Sequence, residues 1–280
     1  MPTMYVIKVG GSLGDELVNV CNDIQMLVER GESVVVLHGG SVEANRLSQQ
    51  MGIPSQYLTW PDGRRSRYTD PATLNILTMA IAGRVKPLLT AQLVQRGVRA
   101  VGLTGIDGAL VTARKTLPAR VIIGDRLCVV RDDLTGRVTE INTELLHLLL
   151  KSGYVPVISP PVIDPKVGPL NIDGDRLASE LAIALRATHL LILSNVPGLL
   201  RDPADPASLI TRLREQDFAQ YLGCAQGRMR VKLIAAQDAL KGGVCRVILG
   251  DGRLTSPIQA ALDGQGTTLE ATFIREEMLP

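Results

Sequence analysis

The chain has 280 residues, 45% of them hydrophobic but only 3% aromatic, and its formal net charge is +2. That length holds one large α/β unit or two lobes with ample core, and the apolar content excludes a disordered chain. So small a charge leaves no electrostatic footprint for nucleic acid, and no apolar run reaches the ~18 residues of a membrane span.

The first apolar run, residues 4–9, reads as a buried strand ending in Gly10-Gly11-Ser12. Residues 15–30 carry Leu17, Val20, Cys21, Ile24, Leu27 and Val28 at helical spacing, and Gly31 ends that helix. A strand over 33–37 follows, then His38-Gly39-Gly40-Ser41 and a helix over 41–51 stopped by Gly52 and Pro54. This βαβα alternation predicts a doubly wound, mainly parallel sheet with helices on both faces. The polar stretch 59–70, with Pro61-Asp62-Gly63 as turn chemistry, predicts a hairpin flap.

Residues 71–96 predict one long helix or a pair kinked near Pro87. A strand over 100–103 comes next, then antiparallel hairpins within 109–139, a helix over 143–151 and a strand over 155–159. Pro160-Pro161 opens a loop to Asn171-Ile172-Asp173-Gly174-Asp175, and a helix runs on through Ala187. Strand 189–193 ends at Ser194-Asn195-Val196-Pro197-Gly198, and a helix from about 232 to 240 and a strand at 245–249 close the chain. The loop near 160–170 is the expected lobe boundary, which separates 1–165 from 166–280. Cys21, Cys128, Cys224 and Cys245 lack metal spacing and read as reduced thiols. With no charged-then-apolar leader, the chain reads as cytoplasmic.

Chemistry concentrates at the glycine turns. Two small-residue turns at strand ends can aim backbone N–H groups at one anion, or can be ordinary connections. Lys8 inside a buried strand favours the first reading, because a buried ammonium is costly unless an anion meets it. His38 reads as a hydrogen-bonded anchor of the strand end. In the 171–175 run one residue suffices as an N-cap; the surplus carboxylates could orient lysines or hold water around Mg²⁺. Gly227-Arg228-Met229-Arg230-Val231-Lys232 taken alone is a solvated basic turn opening a helix. No GxxxxGK[ST] loop and no well-placed GxGxxG occurs, which disfavours P-loop kinases and nicotinamide dehydrogenases.

Taken in order, Lys8-Val9-Gly10-Gly11-Ser12, His38-Gly39-Gly40, Val101-Gly102-Leu103-Thr104-Gly105, the 171–175 run, Ser194-Asn195-Val196-Pro197-Gly198 and the Met229/Lys232 pair resemble the amino acid kinases over nearly the whole chain. They look like the acetylglutamate kinase branch. The resemblance implies a three-layer αβα sandwich with a mainly parallel central sheet. Residues 1–165 would bind the acyl acceptor and dimerise, and 166–280 would bind ATP. It implies ATP and Mg²⁺ as reactants, no direct protein ligand to the metal, and a carboxylate acceptor converted to an acyl phosphate. Lys8 and Lys232 would neutralise the moving phosphoryl group, Gly11 and Gly40 would donate N–H bonds to it, and Asp175 would hold both lysines. Gly39, Gly40, Arg67, Tyr68 and Asn171 would bind the acceptor. Lys8, Gly10, Ser12, Ser194, Asn195, Gly198, Leu199, Met229 and Lys232 would border the nucleotide.

Within the branch, the 38–45 segment, Arg67-Tyr68-Thr69-Asp70 and the 227–232 segment look most like kinases of carrier-linked lysine biosynthesis. Their acceptor is α-aminoadipate on the small acidic carrier protein LysW, which Arg64 and Arg65 on the basic flap would steer. The alternatives are an acetylglutamate kinase of arginine biosynthesis, the same chemistry on LysW-bound glutamate, or a non-catalytic nucleotide-binding regulator. A chain opening on its first strand lacks the N-terminal helix of the arginine-inhibited hexamers, so a homodimer without arginine feedback is expected.

Overall fold

The computed structural model describes residues 2–11, 14, 16–60, 65–117, 119–123, 126–225 and 227–270. The N-terminal half opens with β1 (Met4–Val9), α1 (Leu17–Glu29), β2 (Ser33–His38) and α2 (Ser41–Gln50). The flap is β3 (Tyr57–Thr59) paired antiparallel with β4 (Arg65–Arg67), and its expected turn at 61–63 lies outside the described residues. The long helix comes as α3 (Pro71–Ala80), a π turn over Ile81–Val85 and α4 (Lys86–Gln95). The interruption therefore precedes Pro87, which has no N–H to donate and stands just after the π turn in a helix that is otherwise continuous.

There follow β5 (Ala100–Thr104), β6 (Val111–Lys115), β7 (Ala119–Ile123), β8 (Arg126–Val130), β9 (Gly136–Ile141), α5 (Thr143–Lys151) and β10 (Val155–Ser159). The expected loop from 160 to 171 instead contains a tight hairpin, β11 (Val162–Asp164) with β12 (Gly168–Leu170). Helix α6 (Gly174–Ala184) ends three residues before the expected stop at Ala187, closed by Arg186 in the left-handed region at φ 51°. The remainder is β13 (His189–Ser194), β14 (Arg212–Leu213), α7 (Phe218–Cys224), α8 (Gly227–Lys241), β15 (Arg246–Asp251), α9 (Pro257–Leu262) and β16 (Thr267–Glu270). Helix α8 thus starts at Gly227, five residues earlier than expected.

One sheet runs through the molecule in the order β14-β16-β15-β13-β1-β2-β10-β5, parallel except where β16 meets β15. Two smaller four-stranded sheets, β12-β11-β6-β9 and β4-β3-β7-β8, flank it. Strand alternation divides the core. Val6, Val35, Leu37, Leu190 and Ile192 face α5, α6 and α8, whereas Ile7, Val9, Val34, Val36 and Leu191 face α1, α4 and α9. This is a three-layer αβα sandwich with a mainly parallel centre. The crossover after β1 goes to β2 on one side, and the crossover after β13 goes to β15 on the other. The carboxyl ends of the adjacent pair β1 and β13 therefore form the crevice where open α/β sheets take ligands. Among the described residues no helix is long and apolar enough to cross a membrane, and Cys21, Cys128 and Cys245 are unpaired.

Candidate active site

Lys8 is the last but one residue of β1 and shares its side-chain face with Val6, so it points toward α6 and α8. Gly174, at the first helical position of α6, adjoins the lysine stem: a Cβ there would be in ordinary contact with Lys8 Cε at 3.5 Å. One residue further on, Asp175 accepts from Lys8 Nζ at 2.8 Å. Helix α8 packs along α6 and brings Lys232, whose Nζ donates to both Asp175 oxygens at 2.9 and 3.1 Å. All three side chains are buried: Lys8 is 8% exposed, Asp175 7% and Lys232 7%. Three side chains from distant parts of the chain, the last two 57 residues apart, thus meet at one carboxylate.

Burial by itself would raise the Asp175 pKa, but the two ammonium groups and their hydrogen bonds outweigh it and hold the carboxyl well below the usual range. The N-terminal end of α6 adds to this. Burial, then repulsion from Lys8, draws Lys232 below the ordinary lysine value, against the pull of Asp175. Asp173 adds a second carboxylate within electrostatic reach of both lysines, and desolvation followed by repulsion from Asp175 raises its pKa. Asp173 also acts on the helix, where its Oδ1 accepts from the Asp175 and Arg176 N–H groups as the cap of α6.

The glycine turns sort into two kinds. The Gly10 N–H donates to the Leu193 carbonyl at 2.9 Å, and the Gly39 N–H donates to Val9 at 3.2 Å, so both extend the sheet and neither is left for a ligand. The Gly11 and Gly40 N–H groups donate to nothing within the described residues. They belong to turns in close contact: a Cβ on Gly11 would fall 2.5 Å from the Gly40 nitrogen and 2.7 Å from that of Ser41. Gly40 is buried and heads α2 without a side-chain cap. A buried N–H without an acceptor is an unfilled hydrogen-bonding position, and the end of α2 adds its dipole.

The other expected residues sit around this centre. Ser194 ends β13, and its carbonyl accepts from Gly252 N–H at 2.8 Å, while Asn195 is exposed on the turn beyond. Gly198 at φ 149° packs on Thr267, and the Leu199 N–H donates to Thr267 Oγ1, which buries Leu199 in the core. Met229 is half-buried against the same core. Ser12 and Arg64 lie outside the described residues.

Arg67 is half-buried, with Nη1 on Ser55 Oγ, Nη2 on Asn45 Oδ1 at 2.7 Å, and its guanidinium 5.3 Å from the Tyr57 ring centroid, a ring that Arg65 also overlies at 5.2 Å. No carboxylate meets Arg67 among the described residues. Tyr68, expected to touch the acceptor, donates its hydroxyl to Asp132 at 2.6 Å, a bond that pushes its pKa up to about 12. Asn171 donates to Thr69 Oγ1 at 3.2 Å. Buried Asp133 accepts from the Thr69 N–H at 2.8 Å and from Thr135 Oγ1 at 2.6 Å, and so ties the arginine segment to Asn171. Sequence reasoning missed Asn45, Ser55, Asp132 and Asp133; the adjacent acids 132 and 133 between two β-like runs were the available signal.

Replacing Asp175 with Asn leaves two buried ammonium groups without the carboxylate they both contact. The expected loss is about 3–5 kcal/mol of stability. Because the native carboxyl titrates below its unfolded value of about 3.9, its contribution is fully present above that pH and is lost as pH falls through the native value. Thermal melts should therefore show a gap between wild type and Asp175→Asn that is constant from pH 5 to 8 and narrows below about pH 4. A gap that widens on acidification contradicts the ion-pair account.

The chain matches the model of the amino acid kinase family over residues 3–251. It is 45% identical over 266 residues to the LysW-aminoadipate kinase of Deinococcus radiodurans, covering 95% of this chain and 91% of the relative. It is 41% identical to the LysW-aminoadipate kinase of Thermus thermophilus, over 95% of this chain and 100% of that one. Among solved structures, N-acetylglutamate synthase from Neisseria gonorrhoeae superposes with a TM-score of 0.79 at 24% identity; the match takes in 96% of this chain and 59% of that longer one. Fold, motif order and these matches agree, and the chain belongs to the amino acid kinase family.

Proposed function

We propose that this kinase transfers the γ-phosphoryl group of ATP to the side-chain carboxylate of α-aminoadipate carried on LysW, forming an acyl phosphate in cytoplasmic lysine biosynthesis. The observation that carries the chemistry is the buried Lys8–Asp175–Lys232 cluster, together with the Gly11 and Gly40 N–H groups of the turns after β1 and β2, which have no acceptor among the described residues. Phosphoryl transfer needs in-line positioning and neutralisation of charge on the equatorial oxygens more than it needs a base. An acceptor carboxylate is already ionised at neutral pH and attacks phosphorus directly as the bond to the ADP oxygen breaks. Lys8 and Lys232 would hold the moving group from one side, and the Gly11 and Gly40 N–H groups from another. Asp175 fixes the spacing of the lysines.

In this reading the nucleotide lies toward residues 166–280, against the 194–199 turn and the first turns of α8, and the acceptor toward residues 1–165, with Arg67 and Asn171 at its α-carboxylate end. Asp173 is engaged in a helix cap and Asp175 with two lysines. Mg²⁺ would thus be held by phosphate oxygens and water, where it offsets charge on the β- and γ-phosphates. Arg65 and Arg67, stacked on Tyr57 with no acid beside them among the described residues, present a cationic flap suited to an acidic carrier. The carrier assignment draws on the names of the two relatives at 45% and 41% identity.

Turnover of ATP with LysW-bound aminoadipate, LysW-bound glutamate and free N-acetylglutamate discriminates the substrates. Release of ADP and acyl phosphate with loaded LysW, and at least a hundredfold less with the free acid, is expected; the reverse order overturns the carrier reading. Lys8→Ala and Lys232→Ala should each lower kcat by about 10²–10³ while the protein stays folded. Retained turnover in both would leave a nucleotide-binding regulator as the better description.

A homodimer is part of the proposal, supported by Met79 and Leu88, which stand 45% and 54% exposed on the α3–α4 segment. Light scattering should give twice the 30.1 kDa chain mass; a single-chain mass contradicts it.

A further inference from the structure

We infer that His38 is a positioning residue for phosphoryl transfer, whose imidazole fixes the plane of the Gly39–Gly40 peptide and so aims the Gly40 N–H at the transferred group. This inference rests on the function proposed above.

His38 ends β2 with its ring in the interior, 2% exposed, and its Nδ1 lies 2.8 Å from the Gly39 carbonyl oxygen. A carbonyl oxygen can only accept, so Nδ1 carries the hydrogen and Nε2 is the bare nitrogen. Burial pushes the imidazole pKa down to about 4, with Lys86 contributing in the same direction, and the ring is neutral at working pH. Nε2 is itself buried with no partner among the described residues, and an ionised acceptor offers no proton for it to take. The work of the ring therefore lies in what Nδ1 holds.

That bond is made to a peptide whose own C=O and N–H have no other hydrogen-bond partner among the described residues. The Gly39–Gly40 bond is trans, and a trans peptide carries its C=O and N–H on opposite sides. Gly39 is anchored on one side through its N–H to Val9, and Gly40 on the other through its carbonyl, which accepts from Ala44 N–H at 2.9 Å. Between those anchors two successive glycines place no side chain that would fix the peptide plane. The imidazole bond to the Gly39 oxygen selects one orientation, in which the Gly40 N–H points away from the ring. Gly11 packs against this same peptide, close enough that a Cβ there would be 2.5 Å from the Gly40 nitrogen. Without the imidazole hydrogen the plane can turn over and present a carbonyl oxygen to the phosphoryl group where a donor is needed.

Three variants test this by acyl-phosphate formation, ATP KM and thermal melts. His38→Leu keeps bulk and loses the donor. His38→Asn places an amide N–H where Nδ1 stood, and His38→Gln carries its amide N–H further out. The inference predicts a kcat lower by roughly 10–100-fold for His38→Leu, with ATP KM within about threefold of wild type, since one oxyanion donor is worth about 10²–10³ in rate. His38→Asn should recover most of that loss and His38→Gln should not. Equal losses in Asn and Leu variants of equal melting temperature, or an unaltered kcat in His38→Leu, overturn the inference. Should His38→Leu fail to fold, a His38→Gln protein as active as His38→Asn overturns it in the same way. Wild-type enzyme inert toward every acceptor sinks the underlying functional reading instead, and this inference with it.

Discussion

A carboxylate held between two buried ammonium groups constrains everything around it. Removing three charges from water is expensive, and the arrangement persists because each lysine donates to Asp175 within 3.1 Å. Three elements must therefore be placed accurately: the end of β1, the first turn of α6 and the second turn of α8. The parallel sheet sets the first against its neighbours, and the packing of α6 along α8 sets the other two. The two closely spaced ammonium groups are what the fold offers a ligand.

The glycine turns answer the same requirement from the backbone. Both end parallel strands that pair along their length, Val9 opposite His38, so their loops leave the sheet side by side. Contact between Gly11 and Gly40 is so close that any side chain at position 11 would strike the backbone of the other turn. In each turn the first glycine donates to a neighbouring strand, and the second has a donor with no acceptor among the described residues. Both unpaired donors thus stand at the carboxyl ends of β1 and β2, the end of the sheet at which Lys8 lies.

Much of this is legible in the residues. Apolar runs followed by glycines locate β1, β2, β5 and β13, and the surplus of acids over what one helix cap requires draws attention to Asp175 beside Asp173. The misreadings have local causes. Prolines at 160, 161, 165 and 169 look like loop chemistry, yet three-residue strands on either side of a turn still pair as β11 and β12. The basic run at 228–232 conceals the start of α8, because Gly227 at φ 53° breaks the pattern one residue before the helix turns regular. The Asp133–Thr69–Asn171 relay joins residues up to 102 positions apart, and no short-range pattern marks such a contact. The Tyr68–Asp132 bond is equally hidden, because Asp132 lies in a strand connection whose position only the tertiary fold decides.

The most direct test is a crystal structure with ADP, Mg²⁺ and aluminium fluoride, a mimic of the phosphoryl group in flight. The account predicts the fluoride cluster within about 3 Å of Lys8 Nζ, Lys232 Nζ and the Gly11 and Gly40 nitrogens. A cluster seated against one of the lysines alone, or held away from both glycine turns, would contradict it.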